Sequence, residues 1–399
     1  MTNAVIVDAL RTASGRGKAG GALSSFHPVD LLALILRELV ARNNLDPELV
    51  DDVLVGCLAQ VGEQSVNIAR NAALAAGFPT SVPGTTIDRQ CGSSLQAAAF
   101  AAQGVIAGAY DIVIAGGVEM MSKYPINFAT LGRDPFGPEI TARFRGGLVG
   151  QGISAELIAA NWGFDRYALD EFAARSHHLA EAASQSGVFD REILPITVTA
   201  PDGSSSIHGR DETIRPATTV AGLAELRTSF DDVSTAERFP QVNWSITPGN
   251  SSPLTDGASA VLIMSEQKAR DLGLRPRARF VSSVVVGSDP IEMLTGVIPA
   301  TRKALERAGL TINDMDAYEV NEAFAPVPLA WLTDVGAAPK KLNRRGGAIA
   351  LGHALGSSGT RILSSLLNYL EDTGGKYGLE TICEGQGMAN AIVIERIDS

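Results

Sequence analysis

Cysteine is scarce in this chain: Cys57, Cys91 and Cys383 are all that 399 residues contain. Three cysteines cannot build the disulfide framework of a secreted domain, and their wide separation lacks the spacing of a metal site, so a reducing interior is expected. Charged residues are also few, at 19%. The net charge of -11 comes with no basic block. That argues against nucleic acid or an anionic membrane as the main partner, and leaves room for a local basic pocket. No apolar run is long enough to cross a bilayer. MTNAVIVDALRT enters a strand-like pattern at once, without the basic region of a signal peptide, and the ending ERIDS carries no address signal; a cytoplasmic protein is expected. No glycine loop is followed by a Walker lysine. GQGMAN precedes a strand where a dinucleotide fingerprint would open a helix, which discounts a nicotinamide cofactor.

What the chain does have is 45% apolar residues, enough for two or three domains around a large core. Short β-branched runs (AVIVDAL, VDDVLVGCL) alternate with Ala- and Leu-rich stretches (PVDLLALILRELVAR, NIARNAALAAG). This alternation predicts an α/β fold with helices layered on a mainly parallel sheet. There is a weak internal echo. A turn around Cys91, an Ala-rich helix (Leu95 to Gly108) and the strand DIVIAGGVE are matched later by GHALGSSGTRILSSLLNYL and ETICEGQGMANAIVIE. Duplicated βαβ units would produce this pattern. Between the echoes, from about Met121 to Gly249, the texture becomes charged and broken by Pro and Gly. Either an inserted subdomain or a long decorated loop would read this way.

Cys91 lies where a β-prone stretch (Gly84 to Asp88) gives way to the buried helix of CGSSLQAA. A free thiol titrates near 8.5, and a helix N-terminus or a nearby base is needed to make it a thiolate near neutrality. Free backbone N–H groups at such a junction could lower its pKa and receive an oxyanion. The alternative is a small core residue. His353 sits in the glycine-dense GGAIALGHALGSSG, which leaves backbone room for a ligand. Of the other histidines, His27 beside Pro28 is expected to cap the next helix, while His177, His178 and His208 are expected to be solvated. Cys383 precedes Gly385 and Gly387, which permits close approach of a substrate or merely a tight turn. Asn321 and Glu322 follow a strand and precede a helix, as caps or as polar groups at a strand's carboxyl end. Two thiols and an imidazole in small-residue surroundings suggest acyl transfer.

The motifs CGSSLQA, GGVEMMS, GISAELIA, GNSSPLTDGASA, NEAFA, GHALGSSGTR and CEGQGMANA occur in this order across nearly the whole chain, and together they resemble the thiolase family. The resemblance implies a five-layered αβαβα fold built from two duplicated halves. These would be 1–120, resuming at 251–272, and 273–399, with a CoA-binding loop domain inserted at 121–250. It implies that Cys91 attacks an acyl-CoA carbonyl, that His353 takes the thiol proton, and that Asn321 positions a water at a first oxyanion site. Cys383 would shuttle the proton of the acetyl-CoA carbon, and the N–H groups of Cys91 and Gly385 would form a second oxyanion site. Ser252 would meet pantetheine, Phe324 would line its tunnel, Arg215 would lie near the nucleotide end of CoA, and Ala323 and Gln151 would be further substrate or CoA contacts. Coenzyme A would be a substrate, with no permanently bound cofactor and no metal. Acyl-CoA and CoA would be the partners, in a homodimer or homotetramer serving fatty acid β-oxidation.

Some positions depart from the family pattern: Gln386 where many members have glycine, Ala354 where most have proline, Pro248 where alanine is usual, and Gln151 where short-chain members often carry methionine. Gln151 and Gln386 bear on the acyl chain and leave room for a bulkier or branched substrate. Three other readings compete. A decarboxylating ketoacyl synthase would have a second histidine where Asn321 stands. A non-catalytic acyl-CoA or lipid-binding protein on the same scaffold would have lost a thiol. A cysteine hydrolase would not need the second thiol.

Overall fold

The computed structural model describes residues 2–199 and 202–398. The first half runs β1 (Ala4–Thr12), α1 (Pro28–Arg42), β2 (Asp52–Gly56), α2 (Ile68–Ala75), β3 (Thr85–Ile87), α3 (Ser93–Ala107) and β4 (Ile112–Met120). A long segment that includes α4 (Gln151–Trp162) and α5 (Arg166–Gln185) then leads to β5 (Thr255–Ser265). The second half runs β6 (Ala278–Gly287), α6 (Val297–Ala308), β7 (Ala317–Val320), α7 (Pro326–Val335), α8 (Ser358–Thr373), β8 (Tyr377–Glu384) and β9 (Met388–Arg396).

These strands form one continuous sheet in the order β7-β8-β9-β6-β1-β5-β4-β2-β3. The halves meet through only a short antiparallel pairing, Val5 with Arg279 and Ile6 with Ala278. Each half repeats one plan. β2 is parallel to β4, which pairs antiparallel with β5, which pairs antiparallel with β1. In the same way β7 is parallel to β8, which pairs antiparallel with β9 and then β6. The internal echo in the sequence is therefore a true duplication, with α3 leading to β4 as α8 leads to β8. The expected mainly parallel sheet is corrected: among these nine strands three pairings are parallel and five antiparallel. The reason is that β5 returns from a long excursion and β9 from a tight turn, and neither route requires the helical crossover that makes neighbours parallel.

Helices cover both faces of each half, and the apolar clusters show five layers. One cluster packs α1 and α2 on the outside of the first half, and another packs α6 and α7 on the outside of the second. A third holds α3 and α8 between the two. Layering of this kind explains why β1, AVIVDALRT, is buried along its entire length, as strands covered on both faces are. It also explains why the first turns of α3, Ser93 to Ala99, are mostly small and all buried, since they are pressed between the two halves of the sheet. α1, by contrast, is an outer helix, and His27 caps it as expected, with its ring accepting the Val29 N–H at 3.3 Å. Ile158 and Phe172, from α4 and α5, join the cluster under α6 and α7.

The central layer is held by very close backbone approach. A Cβ on Gly359 in α8 would stand 2.2 Å from the Leu95 nitrogen of α3. At Gly356, just before α8, a Cβ would meet the carbonyl oxygens of Val118 at 2.6 Å and Gly56 at 2.7 Å. Backbone cannot yield as a flexible side chain can, so Gly359→Ala is expected to cost about 1–3 kcal/mol or more. Chemical denaturation of the purified variant would measure this.

Candidate active site

The first half brings Cys91 to the start of α3 through a strained turn. Asp88 Oδ1 accepts the Gln90 N–H at 2.7 Å, and Ser93 Oγ accepts the Arg89 N–H at 2.9 Å while donating to Gln90 O at 2.5 Å. Gln90 is left-handed, at φ +50°, a cost that folds tend to concentrate at functional sites. The second half contributes the remaining groups from strand ends and one turn. Asn321 follows β7 and donates its N–H to Thr381 O at 3.1 Å, which places it beside the end of β8, where Cys383 lies. It does not cap α7, whose N-cap is Ala325. His353 is fixed by its own N–H, donated to Thr255 Oγ1 at 2.9 Å.

These residues form one connected group. Asn321 Nδ2 lies 3.3 Å from His353 Nε2. Asn321 lies near enough to the Cys383 thiol to oppose the rise in its pKa, and Cys91 lies near enough to add to that rise. Gln151 Nε2 approaches Cys91 Sγ from α4 at 4.0 Å. The turn carrying Gly385 presses on the nucleophile turn, since a Cβ on Gly385 would meet Gln90 Oε1 at 2.8 Å. Cys91, Cys383, His353 and Asn321 are all buried. The Asn321 Oδ1 atom is buried without a hydrogen-bond partner among the described residues, and as an acceptor it can take an O–H from a water.

Ser358 decides the state of the histidine, and the sequence reading missed it although it lies in a motif already singled out. Its hydroxyl donates to Ala354 O at 2.8 Å, so its single proton is spoken for. It must therefore accept from His353 Nδ1, 2.6 Å away. The proton of the neutral ring is then on Nδ1, and the Nε2 lone pair faces Asn321. Burial, aided by Arg361, pushes the ring down to about 3, so it is a neutral base throughout the physiological range.

The expected thiolate at Cys91 is corrected. Burial pushes this thiol up to about 12, Glu384 adds to the rise, and the Gln151 contact opposes it. Burial likewise raises Cys383 well above its ordinary value, with Cys91 adding to the effect. The start of α3 does not overcome the loss of hydration. The resting site thus holds two neutral thiols and one neutral imidazole, and ionisation must accompany attack.

Ser252, Ala323 and Phe324 are gathered beside Asn321. Ser252 donates both its N–H and its hydroxyl to Ala323 O, at 3.0 and 3.1 Å. Phe324 packs edge-on against Phe230 with ring centroids 6.1 Å apart. Arg215 lies apart from them, exposed on the surface, with its backbone N–H given to His177 Nδ1 at 3.2 Å. The expectation of solvated histidines holds for His178 alone. His177 and His208 are buried, because α5 turns His177 inward and a short strand, Ser205–His208, brings the His208 ring to Ala13 O at 3.2 Å.

The family models described as thiolase N-terminal domain and thiolase C-terminal domain match residues 4–267 and 274–396. The chain belongs to the thiolase family. It is 46% identical over 400 residues to a 3-ketoacyl-CoA thiolase of Vibrio cholerae serotype O1, covering 99% of this chain and 100% of that one. It is 44% identical over 407 residues to the steroid 3-ketoacyl-CoA thiolase FadA6 of Mycobacterium tuberculosis, covering 100% of this chain and 95% of that protein. Among solved structures, the Bacillus anthracis acetyl-CoA acetyltransferase superimposes with a TM-score of 0.87 at 36% identity, covering 100% of this chain and 99% of that one.

Two predictions follow from this thiolase's site. Ser358→Ala leaves the buried Nδ1–H unpaired and frees the wrong tautomer. At about 1–3 kcal/mol for an unsatisfied buried donor, kcat should fall roughly tenfold to a hundredfold, read in steady-state assays. The second concerns stability. His177 is pushed down from its ordinary 6.5 to about 4 by burial, helped by Arg215. It therefore binds its proton more weakly folded than unfolded, and its contribution to stability is complete above about 6.5 and lost as pH falls toward 4. Urea titrations from pH 7 to pH 5 should show stability falling, with a shallower slope in His177→Asn.

Proposed function

We propose that this thiolase cleaves and forms carbon–carbon bonds between CoA thioesters: 3-ketoacyl-CoA and CoA exchange reversibly with acetyl-CoA and a shortened acyl-CoA. The observation that carries the reading is the linkage of two buried thiols, one imidazole with its lone pair turned inward, and Asn321. In thiolysis, the Cys91 sulfur attacks the 3-keto carbon while its proton passes to His353 Nε2. The N–H groups of Cys91 and Gly385 hold the resulting alkoxide. Its collapse breaks the bond between carbons 2 and 3, leaving an acyl group on Cys91 and an enolate on the departing acetyl-CoA. His353 and a water held by Asn321 stabilise that enolate oxygen, and the Cys383 thiol protonates its carbon. CoA then gives its proton to Cys383 and takes the acyl group, and His353 returns the first proton to Cys91. Each fixed donor at a developing oxyanion is worth about 2.7–4 kcal/mol of barrier.

The neutral resting state suits this scheme. A permanent thiolate beside Cys383 would raise the second thiol further and weaken it as a proton donor. Coupling proton transfer to attack avoids two like charges in one dry pocket. Asn321 in place of a second histidine disfavours a decarboxylating synthase, and retention of both thiols disfavours a binding protein without activity. Ser252, Ala323 and Phe324 are assigned to pantetheine, Gln151 to the acyl group and Arg215 to the nucleotide end of CoA, with residues 121–250 as the CoA-binding loop domain and 1–120, resuming at 251–272, and 273–399 as the two thiolase halves. CoA acts as substrate and not as a permanently bound cofactor. A homodimer or homotetramer in the cytoplasm completes the proposal; among the described residues no helix is long and apolar enough to cross a membrane.

Incubation with acetyl-CoA should add one acetyl mass to Cys91, and Cys91→Ser should abolish both labelling and turnover. Cys383→Ser should still be acylated yet fail in condensation; normal condensation by that variant would refute its assigned role. A thiolysis panel running from acetoacetyl-CoA to long-chain and ring-bearing 3-ketoacyl-CoA would identify the acyl group that Gln151 and Gln386 admit.

A further inference from the structure

Glu384 directly follows Cys383, and the reaction as assigned makes no use of it. Neighbouring positions on a strand face opposite sides, so Glu384 shares the side of Ile382, which packs in the central cluster between the two halves. The residue is buried, and neither carboxyl oxygen has a hydrogen-bond partner among the described residues. The same is true of Asn390 Oδ1, opposite Ile382 on β9. Both atoms converge on the nucleophile turn: a Cβ on Gly92 would stand 2.1 Å from Glu384 Oε1 and 2.8 Å from Asn390 Oδ1. Asn390 Nδ2 in turn donates to Gly92 O at 3.0 Å.

Bare acceptor oxygens that flank the same Gly92 position away from water are costly unless one of the groups carries a proton. A protonated carboxyl supplies that donor. Burial raises Glu384 to about 9, against the pull of Arg89 and with the help of Asp88. The N-terminus of α3 favours the anion, but the Gly92 and Ser93 N–H groups are given to Arg89 O and Gln90 O instead.

We propose that Glu384 is a positioning residue that works in its neutral form. Its hydroxyl donates to Asn390 Oδ1, Asn390 holds the Gly92 carbonyl, and this chain fixes the turn that carries Cys91. Ionisation of Glu384 removes the donor and stands a negative charge beside the nucleophile. Asp88 and Arg89 on the nucleophile turn, Cys91 itself and Cys383 on the same strand are the other titratable or charged groups around it, Glu119 on β4 acts on Cys91 from elsewhere, and the facing residues of β9 are the neutral Met388 and Asn390.

The inference rests on Cys91 as the acyl carrier, and its test separates the two claims. Glu384→Gln keeps an N–H donor and cannot ionise. The rate of Cys91 alkylation by iodoacetamide, followed against pH by peptide mass spectrometry, should shift to lower pH by about half a unit, or about threefold in rate at fixed pH on the rising limb. The ratio of thiolysis rates at alkaline and neutral pH should rise in the same variant. Glu384→Leu, which lacks the donor, should lose kcat with little change in KM, and Gln should restore it. Overlapping alkylation profiles in wild type and Glu384→Gln would overturn the proposal, as would a wild-type kcat in Glu384→Leu. Acetyl loading of wild-type Cys91 is scored separately: failure there would sink the assignment of the nucleophile and leave the alkylation result standing on its own.

Discussion

The site depends on a seat of backbone against backbone. The turn at Gly356 in the second half rests on the ends of β2 and β4 in the first, where no side chain could fit. Glu119 locks it there. One oxygen of this buried carboxylate accepts the N–H groups of Leu58 and Gly356, both at 2.9 Å; the other accepts Ala59 N–H at 3.1 Å and Gln64 Nε2 at 2.8 Å. Through this one side chain the histidine turn of one half is held to the frame of the other. Ser94 Oγ, accepting the Thr360 N–H at 3.1 Å, adds a second tie between the starts of α3 and α8. Position at such a site must hold to within a fraction of an ångström for reacting atoms to align, and rigid backbone contact achieves this better than long side chains would.

The duplication is symmetric in frame and asymmetric in use. α3 and α8 are equivalent helices, and one begins at the nucleophile while the other begins just beyond the histidine. β4 and β8 are equivalent strands, and both end in groups that matter. The first half carries Glu119, a strut, and the second carries Cys383. Open α/β sheets bind ligands at the carboxyl ends of their strands; here both halves place chemistry there, Cys91 beyond β3 in the first and Asn321 and Cys383 at the ends of β7 and β8 in the second, while Glu119 supplies support.

Dryness shapes the electrostatics of the site. Burial raises both thiols and lowers the imidazole, so every group rests neutral and the field of a separated charge arises only during reaction. In such surroundings each oriented N–H acts strongly on a developing oxyanion. Glu322 shows the same economy at a distance. Its buried carboxylate accepts Ser176 Oγ at 2.6 Å, Asn343 Nδ2 at 2.8 Å and Ile349 N–H at 3.2 Å, steadying the segment that leads to His353.

The sequence by itself determined the duplicated α/β plan, the nucleophile at a strand-to-helix junction and the set of motifs that names the family, because these depend on local periodicity and on residue types at short spacing. It also revealed the two thiols and the histidine as the unusual residues of the chain. Only the tertiary structure decided the mixed sheet, since strand direction depends on how the chain returns from a long excursion. It alone brought Asn321, from one strand end, to His353, from a distant turn, and it alone buried His177. The ionisation of Cys91 was likewise beyond local reading: a helix start favours the thiolate, but the loss of water around a sulfur enclosed by two halves of a molecule is a property of the whole fold, and it is the larger effect.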